Sequence, residues 1–323
     1  MKWYYGYKNF WDELLALGVI RYLFENYPLE ILYIEVENID WFSTRLHRHE
    51  SLLWDVLSKV KLISKSDRIS VIKYSILTLD THLFLWWGEV ITPARWRFHW
   101  GRNLYILYWF SFLRHTVTLL WWVSKANNRQ FKLLYRLTLS NCDKIILREP
   151  TSYNYVVSTY ASKDQVLLYQ DFWHALIDSL DMSILTDIHT LSKTRPLCPY
   201  LIVNTNPHID MSTLTQKLST LTQNTNIDTI VYFPWDKVDT KYFDILSTSL
   251  STYNWILFDW TKYDIFTIID LFQHATYWLW VRLHVLSMFQ RFWIPYDFVV
   301  YQEKISKFLD LWDKKVEESQ NLS

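Results

Sequence analysis

The stretch YLIVNTNPHIDMSTLTQKLSTLTQNTNIDTIVYF, residues 200–233, decides the class of fold that we predict. It begins with an apolar run at 200–203 and ends with another at 230–233, and each run has the length of a buried strand. Between them, residues 211–221 repeat apolar side chains at helical spacing. A strand, a helix and a strand in this order predict a βαβ unit with a parallel sheet.

The same alternation continues on both sides of this stretch. Further strands are predicted at 30–36, 82–85, 116–120, 144–147, 256–258, 277–281 and 295–300. Further helices are predicted at 50–60, 68–79, 128–140, 239–250, 264–274, 283–292 and 302–311. The pattern lapses only around 180–199, which is polar and contains two prolines. We therefore predict an α/β protein with a Rossmann-like domain at 1–180, a linker at 181–199 and a second Rossmann-like domain at 200–323, the two facing a cleft.

Composition excludes several classes of protein. The chain has 323 residues, of which 50% are hydrophobic and 20% charged, so it is not a disordered chain. Lys and Arg total 33 and Asp and Glu total 33, which argues against a nucleic-acid partner. The two cysteines, Cys142 and Cys198, form no metal-binding pattern, so no metal is expected. The most apolar stretch, 104–123, is interrupted by Arg114 and His115, so we expect a cytoplasmic protein without a membrane span.

Glycine and tryptophan are present in unusual amounts. There are 4 Gly and 19 Trp, whereas ordinary usage predicts roughly 23 Gly. Five tryptophans stand where a turn or a helix end calls for glycine: Trp11, Trp86, Trp87, Trp122 and Trp293. We hypothesise that many tryptophans are glycines in the functional protein, through a different decoding of one codon. We expect these five to lie in loops or at element ends, several with exposed rings or positive φ. The alternative is a genuinely Trp-rich chain, such as a carbohydrate-stacking surface.

With glycine read in place of tryptophan, four stretches become motifs. They are GYYGYKNFGDELL (3–15), LFLGGGEV (83–90), ILREPTS (146–152) and TYGLGVRLHVLSMFQRFGIP followed by YQEK (276–304). In this order they resemble the polysaccharide pyruvyl transferase family over nearly the whole chain. As printed, the chain departs from the family at nearly every motif glycine. It also lacks the apolar first strand that precedes the opening motif in the family, which either a mis-called start or a truncation would explain.

The resemblance implies a fold similar to that of the B-type glycosyltransferases. It implies transfer of a pyruvyl group from phosphoenolpyruvate to two hydroxyls of one sugar, with formation of a ketal and release of phosphate. The acceptor is expected to be a sugar of a cell-surface polysaccharide or its lipid-linked oligosaccharide precursor, bound by the N-terminal domain. Phosphoenolpyruvate is expected on the C-terminal domain. No further cofactor is implied, and contact with the inner face of the membrane is expected through the acceptor.

An anion site for phosphoenolpyruvate is predicted at a strand-to-helix junction in the second half. Arg282 and Leu283 stand at this junction, where backbone N–H groups and the helix dipole favour an anion. Lys304 and Arg148 are expected to reach the same pocket. His284 is expected to act as an acid toward the donor. Each of these residues also has an ordinary structural interpretation, such as a surface ion pair or a solvated helix face.

The opening motif and the central motif supply the predicted acceptor side. Asp12 or Glu13 is expected to act as a base toward the sugar, although Asp12 also suits an ordinary helix cap. Asn9, Gly88 and Glu89 complete the predicted substrate-binding set.

Two other functions stay open. A nucleotide-sugar glycosyltransferase of the same architecture needs a ribose-binding carboxylate in the second half, and none has convincing spacing. If the tryptophans are literal, the chain would be catalytically dead. A second Arg-Leu-His sequence, residues 45–47, lacks the apolar strand and Ile-Pro that follow the first, and we interpret it as a coincidence.

Overall fold

The chain forms two compact units in the computed structural model. Unit 1 contains Met1–Tyr7 and Asp12–Leu180, and unit 2 contains Lys8–Trp11 and Asp181–Ser323. The residues that the structure describes are 2–5, 9–53, 55–64, 82–91, 116–123, 125–126, 129–147, 150–169, 172, 176, 195–281 and 295–299. None of the helices among these residues is long and apolar enough to cross a membrane.

Unit 1 contains a seven-stranded sheet in which every pair of neighbours is parallel. Its strands are β1 (Lys2–Tyr5), β2 (Leu32–Val36), β3 (Val60–Ser64), β4 (His82–Ile91), β5 (Thr116–Val123), β6 (Lys144–Leu147) and β7 (Val166–Leu168). The order is β3-β2-β1-β4-β5-β6-β7, so the chain builds outward from β1 in one direction and from β4 in the other. The boundary between β1 and β4 is therefore the topological switch point of this sheet.

The helices that accompany this sheet lie between its strands in the chain. They are α1 (Phe10–Asn26), α2 (Ile39–Arg48), α3 (Glu50–Leu53), α4 (Arg129–Leu139) and α5 (Pro150–Thr159). Asn38 caps α2 because its side-chain oxygen accepts the backbone N–H of Trp41 at 2.9 Å. Helix α1 approaches its neighbour closely at Gly18, where an added Cβ would collide with the backbone carbonyl oxygen of Phe172.

Unit 2 contains a five-stranded parallel sheet in the order β10-β9-β8-β11-β12. Its elements are β8 (Tyr200–Val203), α6 (Met211–Thr225), β9 (Thr229–Tyr232), α7 (Lys241–Ser249), β10 (Asn254–Leu257), α8 (Ile265–Gln273), β11 (Tyr277–Trp280) and β12 (Tyr296–Phe298). The switch point lies between β8 and β11. Every residue of β8 and β9 is buried, as expected for inner strands of a parallel sheet.

Local sequence sets the ends of α6. Asp210 begins the helix because its carboxylate accepts the backbone N–H groups of Ser212 and Thr213. Asn226 ends it in the left-handed conformation, with φ 53°, which Asn tolerates better than most residues. Because these two polar residues mark the ends of α6, the βαβ unit at 200–233 can be predicted from the sequence.

Aromatic side chains form a dense cluster in the core of unit 2. Its fully buried members pack mainly edge-to-face, with ring centroids 4.8–6.4 Å apart: Phe10, Phe233, Trp235, Phe272, Trp278 and Trp280. Phe10 is the first residue of α1, and its backbone N–H donates to the carbonyl of Trp235 at 3.1 Å. The tryptophans of this cluster therefore act as core residues.

The fold class is as predicted, and individual elements differ. The predicted helix at 50–60 is only α3, followed by a short 3-10 turn at Leu57–Lys59 and by strand β3. The β-branched and apolar run Val60–Ser64 pairs in register with β2, which favours a strand over a continued helix. The first strand is present as β1, which pairs with both β2 and β4 in the middle of the sheet.

Two of the four tryptophans that the structure describes lie inside an element, where we expected loops or element ends. Trp86 and Trp87 lie inside β4, because the strand continues beyond the predicted 82–85 and tryptophan suits an extended backbone. Trp122 is the penultimate residue of β5, and Trp11 lies in the first turn of α1 with a buried ring. Asn226 is the only described non-glycine residue with positive φ. Trp11 and Trp122 thus lie at element ends as expected, Trp86 and Trp87 do not, and none of these four has positive φ. Trp293 lies outside the described residues.

Candidate functional site

In both sheets the parallel strands end at one edge, the carboxyl edge, which is the expected place for a binding site. In open α/β sheets, ligands bind beyond this edge at the topological switch point. In unit 1 this is the edge of β1 and β4, and in unit 2 it is the edge of β8 and β11. The side chains that follow these strands are therefore the candidates for a binding site.

The predicted acceptor residues follow β1 and occupy β4. Asn9 begins α1, where its side-chain oxygen accepts the backbone N–H of Trp11 at 3.0 Å. Asp12 and Glu13 lie in the first turn of this helix, and Asp12 is partly exposed. Gly88 and Glu89 lie in β4, the strand hydrogen-bonded to β1, with Lys2 opposite Leu85. Asp12 and Glu13 therefore follow β1, and Gly88 and Glu89 lie in β4, the strand beside it in the unit 1 sheet.

Glu13 is held in a buried ion pair. Its Oε2 accepts a hydrogen bond from Arg45 Nε at 2.6 Å, and its Oε1 accepts one from the indole of Trp41 at 3.2 Å. Burial raises the pKa of Glu13 to about 7, although Arg45 opposes the shift. Because both carboxylate oxygens are engaged inside the protein, Glu13 positions the start of α1. Asp12 is the more accessible carboxylate.

Arg45 has a role that the sequence did not reveal. It lies in α2, is as deeply buried as Glu13, and its Nη2 is 3.2 Å from His49 Nε2. A guanidinium can only donate, so we assign His49 as the neutral acceptor with its proton on Nδ1. Burial, with Arg45 and Arg48 nearby, holds the pKa of His49 well below its usual value. The second Arg-Leu-His sequence therefore contributes a structural arginine.

Three consecutive polar residues follow β8 at the edge of unit 2, and all are buried: Asn204, Thr205 and Asn206. Asn204 joins the switch point, because its Oδ1 accepts the backbone N–H of Val281, which follows β11, at 3.1 Å. The Nδ2 of the same side chain is buried and donates to no described residue. A buried amide without an acceptor is unfavourable unless a ligand supplies one.

The two residues that follow Asn204 both form hydrogen bonds. Thr205 Oγ1 contacts the hydroxyl of Tyr232, and that hydroxyl donates to the carbonyl of Asp239 at 2.6 Å. Asn206 Oδ1 accepts the backbone N–H of His208 at 2.9 Å. These bonds hold the loop that carries the free donor of Asn204.

Two carboxylates follow the neighbouring strands at this edge. Asp236 follows β9 and caps a 3-10 turn by accepting the N–H of Val238 at 3.2 Å. Asp259 follows β10, and its side chain is 43% exposed. Burial opposes ionisation, but hydrogen bonds from Thr261 and Lys262 lower the pKa of Asp259. Asp259 is therefore an ionised and accessible carboxylate. The sequence spacing alone did not distinguish it.

The predicted donor-binding residues stay predictions. Arg148, Arg282, Leu283, His284 and Lys304 lie outside the residues that the structure describes. Val281, which Asn204 holds, immediately precedes Arg282 in the chain. Within the described part of the chain, no group of three His, Cys, Asp or Glu side chains is arranged to hold a metal ion.

Comparison with known proteins identifies the fold. No protein-family model and no curated protein matches the sequence. Among solved structures, UDP-N-acetylglucosamine 2-epimerase from Rickettsia bellii has a TM-score of 0.56 at 8% identity, over 88% of this chain and 74% of that one. UDP-GlcNAc 2-epimerase from Neisseria meningitidis, bound to UDP-GlcNAc, has a TM-score of 0.54 at 10% identity, over 92% and 82%. HepE from Anabaena, in complex with UDP-glucose, has a TM-score of 0.53 at 9% identity, over 99% and 89%.

These identities support a likeness of fold and nothing finer. The chain has the two Rossmann-like units of the B-type glycosyltransferase fold. The resemblance to pyruvyl transferases stays a prediction from the sequence.

Proposed function

We propose that this protein is a transferase of polysaccharide biosynthesis that binds a phosphate-bearing donor at the carboxyl edge of unit 2 and modifies a sugar. The observation that carries the proposal is the unsatisfied amide of Asn204 at the switch point of the unit 2 sheet. An amide N–H at this position suits the oxygens of a phosphate, a carboxylate or a carbonyl. A hydrogen bond to a charged ligand is worth about 1.5–3 kcal/mol, so a ligand oxygen would offset the cost of the buried donor.

A nucleotide sugar is the donor that the fold comparisons favour. Two of the similar structures hold UDP-GlcNAc and UDP-glucose. Such a donor needs a carboxylate for its ribose hydroxyls, and Asp259 at the end of β10 supplies an accessible one. Strand β9 separates β10 from β8, so Asp259 and Asn204 follow strands about 10 Å apart. This separation is suited to a nucleoside at one end and its phosphates at the other.

Phosphoenolpyruvate is a second candidate donor, favoured by the order of the four motifs. Asn204 binds Val281, and the predicted anion-binding residues Arg282 and His284 come directly after it in the chain. In this reaction two sugar hydroxyls bond to C2 of the donor and its bond to the phosphate oxygen breaks. One hydroxyl proton ends on C3, which becomes the methyl carbon, and the other leaves with phosphate. We propose His284 as the acid toward C3 and Asp12 as the base toward the sugar.

Calorimetry with UDP-GlcNAc, UDP-glucose and phosphoenolpyruvate distinguishes the two donors. Asn204→Asp is the informative variant, because a carboxylate keeps an acceptor for the Val281 N–H but removes the amide donor. We expect it to weaken binding of the true donor by about tenfold or more. Asn226→Asp is the matched control: it adds the same charge at an exposed residue that ends α6, and it should leave binding unchanged.

The outcomes separate the alternatives. Binding of a nucleotide sugar that Asp259→Asn weakens supports the first donor. Binding of phosphoenolpyruvate that Arg282→Ala abolishes supports the second. Failure of all three ligands to bind to the folded chain, or equal effects of Asn204→Asp and Asn226→Asp, would overturn the proposed site.

A further inference from the structure

Helix α4 (Arg129–Leu139) has two faces of different chemistry. Its inward face is buried in unit 1 and carries Phe131, Tyr135, Thr138 and Leu139. Its outward face presents two leucines one turn apart, Leu133 with 59% of its surface exposed and Leu137 with 40%. Single exposed leucines are ordinary, but two on adjacent turns of one helix face form an apolar stripe open to solvent.

Three cations flank one side of this stripe. Arg129, Lys132 and Arg136 are all exposed. Arg129 and Arg136 lie four and three residues from Leu133, and Lys132 lies three and four residues from the same two arginines, so the cations form one row beside the stripe. None of the three forms an ion pair with any residue that the structure describes. The helix contains no acidic residue. The outward face of α4 is therefore apolar along its middle and positive along one margin.

The charge of the surrounding sequence is strongly asymmetric. Between Glu89 and Asp143 the chain has no Asp or Glu and has eight Arg or Lys residues, although the whole chain has net charge zero. The compensating acidic excess lies elsewhere in the chain. This segment includes α4, so the positive face belongs to the most basic part of the sequence.

We propose that the outward face of α4 is a membrane-binding surface that lies on an anionic lipid bilayer. Leu133 and Leu137 would enter the boundary between headgroups and acyl chains, while Arg129, Lys132 and Arg136 contact lipid phosphates. Charge complementarity selects this partner. In a symmetric dimer through the same face, the three cations would oppose three cations, which disfavours a second copy. The proposal does not depend on which donor the protein uses.

Vesicle flotation of the full chain tests the surface. We compare vesicles of equal parts phosphatidylglycerol and phosphatidylcholine with vesicles of phosphatidylcholine alone. We expect binding to the anionic vesicles, weakened by salt. Combined substitution Arg129→Gln, Lys132→Gln and Arg136→Gln should lower the partition coefficient about 100-fold, since each cation near an anionic surface contributes a factor of about 5. Leu133→Ser with Leu137→Ser should lower it about tenfold.

Matched controls separate the surface from general charge and hydrophobicity. Lys61→Gln and Leu197→Ser change residues of the same types at exposed positions outside α4, and both should bind as the unchanged protein does. Circular dichroism checks that every variant is folded. Equal binding to neutral and anionic vesicles, or α4 variants that bind as the controls do, would overturn the proposal. The proposal would also be overturned if the protein did not bind vesicles and instead formed a dimer, or a complex with an acidic protein, that the α4 variants disrupt.

Discussion

Arg45 Nε lies 2.6 Å from Glu13 Oε2, and both side chains are almost completely buried. This pair connects α2 to the first turn of α1, the helix that follows β1, an inner strand of the unit 1 sheet. Removal of one partner of a buried ion pair leaves an uncompensated charge. The stability of this region therefore depends on two residues that are far apart in the sequence.

We predict that Arg45→Met lowers the free energy of unfolding by about 3–5 kcal/mol, because it leaves the Glu13 carboxylate without its cation. Unfolding in guanidinium chloride measures the change. Arg21→Met is the matched control. Arg21 pairs with Glu25 and Asp55 at the surface, so its loss should cost less than about 1 kcal/mol. The double variant Glu13→Leu with Arg45→Met should recover most of the loss. Equal costs for the Arg45 and Arg21 variants would contradict the assignment.

We predict a specific dependence of stability on pH. The folded pKa of Glu13 is raised from 4.5 to about 7, so the folded state binds the extra proton and its stability falls as pH rises from about 4.5 to 7. The folded pKa of His49 is lowered from 6.5, so its contribution is lost as pH falls below 6.5. Urea unfolding across this range should show that Glu13→Gln removes the decline toward pH 7. An identical pH profile for this variant would refute the assigned shift.

We predict that Gly18→Ala destabilises the protein, although Gly→Ala inside a helix is ordinarily stabilising by up to about 1 kcal/mol. The reason is the collision between the new Cβ and the Phe172 carbonyl oxygen, a backbone atom that cannot rotate away. Thermal unfolding measures the sign. A raised melting temperature would show that α1 can move away from this segment without loss.

We predict that Trp280→Ala lowers the free energy of unfolding of the chain as printed by about 3–5 kcal/mol, because the ring is fully buried among aromatic neighbours. Leu197→Ala is the control, since Leu197 is 92% exposed and should change stability by less than about 0.5 kcal/mol. A Trp280 variant as stable as the control would show that the aromatic cluster does not form.

The decoding hypothesis makes a prediction about the protein isolated from its own cells. Tandem mass spectrometry of peptides covering positions 86, 87 and 122 should find glycine there. Tryptophan at all three positions would end the hypothesis and, with it, the main support for the four motifs. This measurement is independent of the stability of the printed chain.

Much of the fold was predictable from the sequence for a physical reason. Inner strands of a parallel sheet are buried on both faces, so segments such as Tyr200–Val203 and residues 145–147 appear as continuous apolar runs. Capping residues such as Asp210 then mark where the helices begin. Strand β3 was missed because its apolar residues also continued a helical period.

The site was less predictable because it depends on contacts between distant residues. The pairing of Glu13 with Arg45 requires α1 and α2 to pack together, and neither residue has a local signature. Asn204 looked like an ordinary loop residue after a strand. Its significance arises from the Val281 backbone, which the sheet order brings beside it. A short polar run directly after a wholly apolar strand was the available signal.

The position of β1 between β2 and β4 in the unit 1 sheet has a consequence for folding during synthesis. Lys2 pairs with Leu85, so β1 leaves the ribosome about 80 residues before β4, its second neighbour in the sheet. At about 5–20 residues per second this takes on the order of 4–16 s. During that time β1 and β2 have an unpaired edge that could join another nascent chain. Slow synthesis or high expression would therefore favour aggregation. A chaperone that covers β1 and β2 until β4 is made should raise the yield of folded protein.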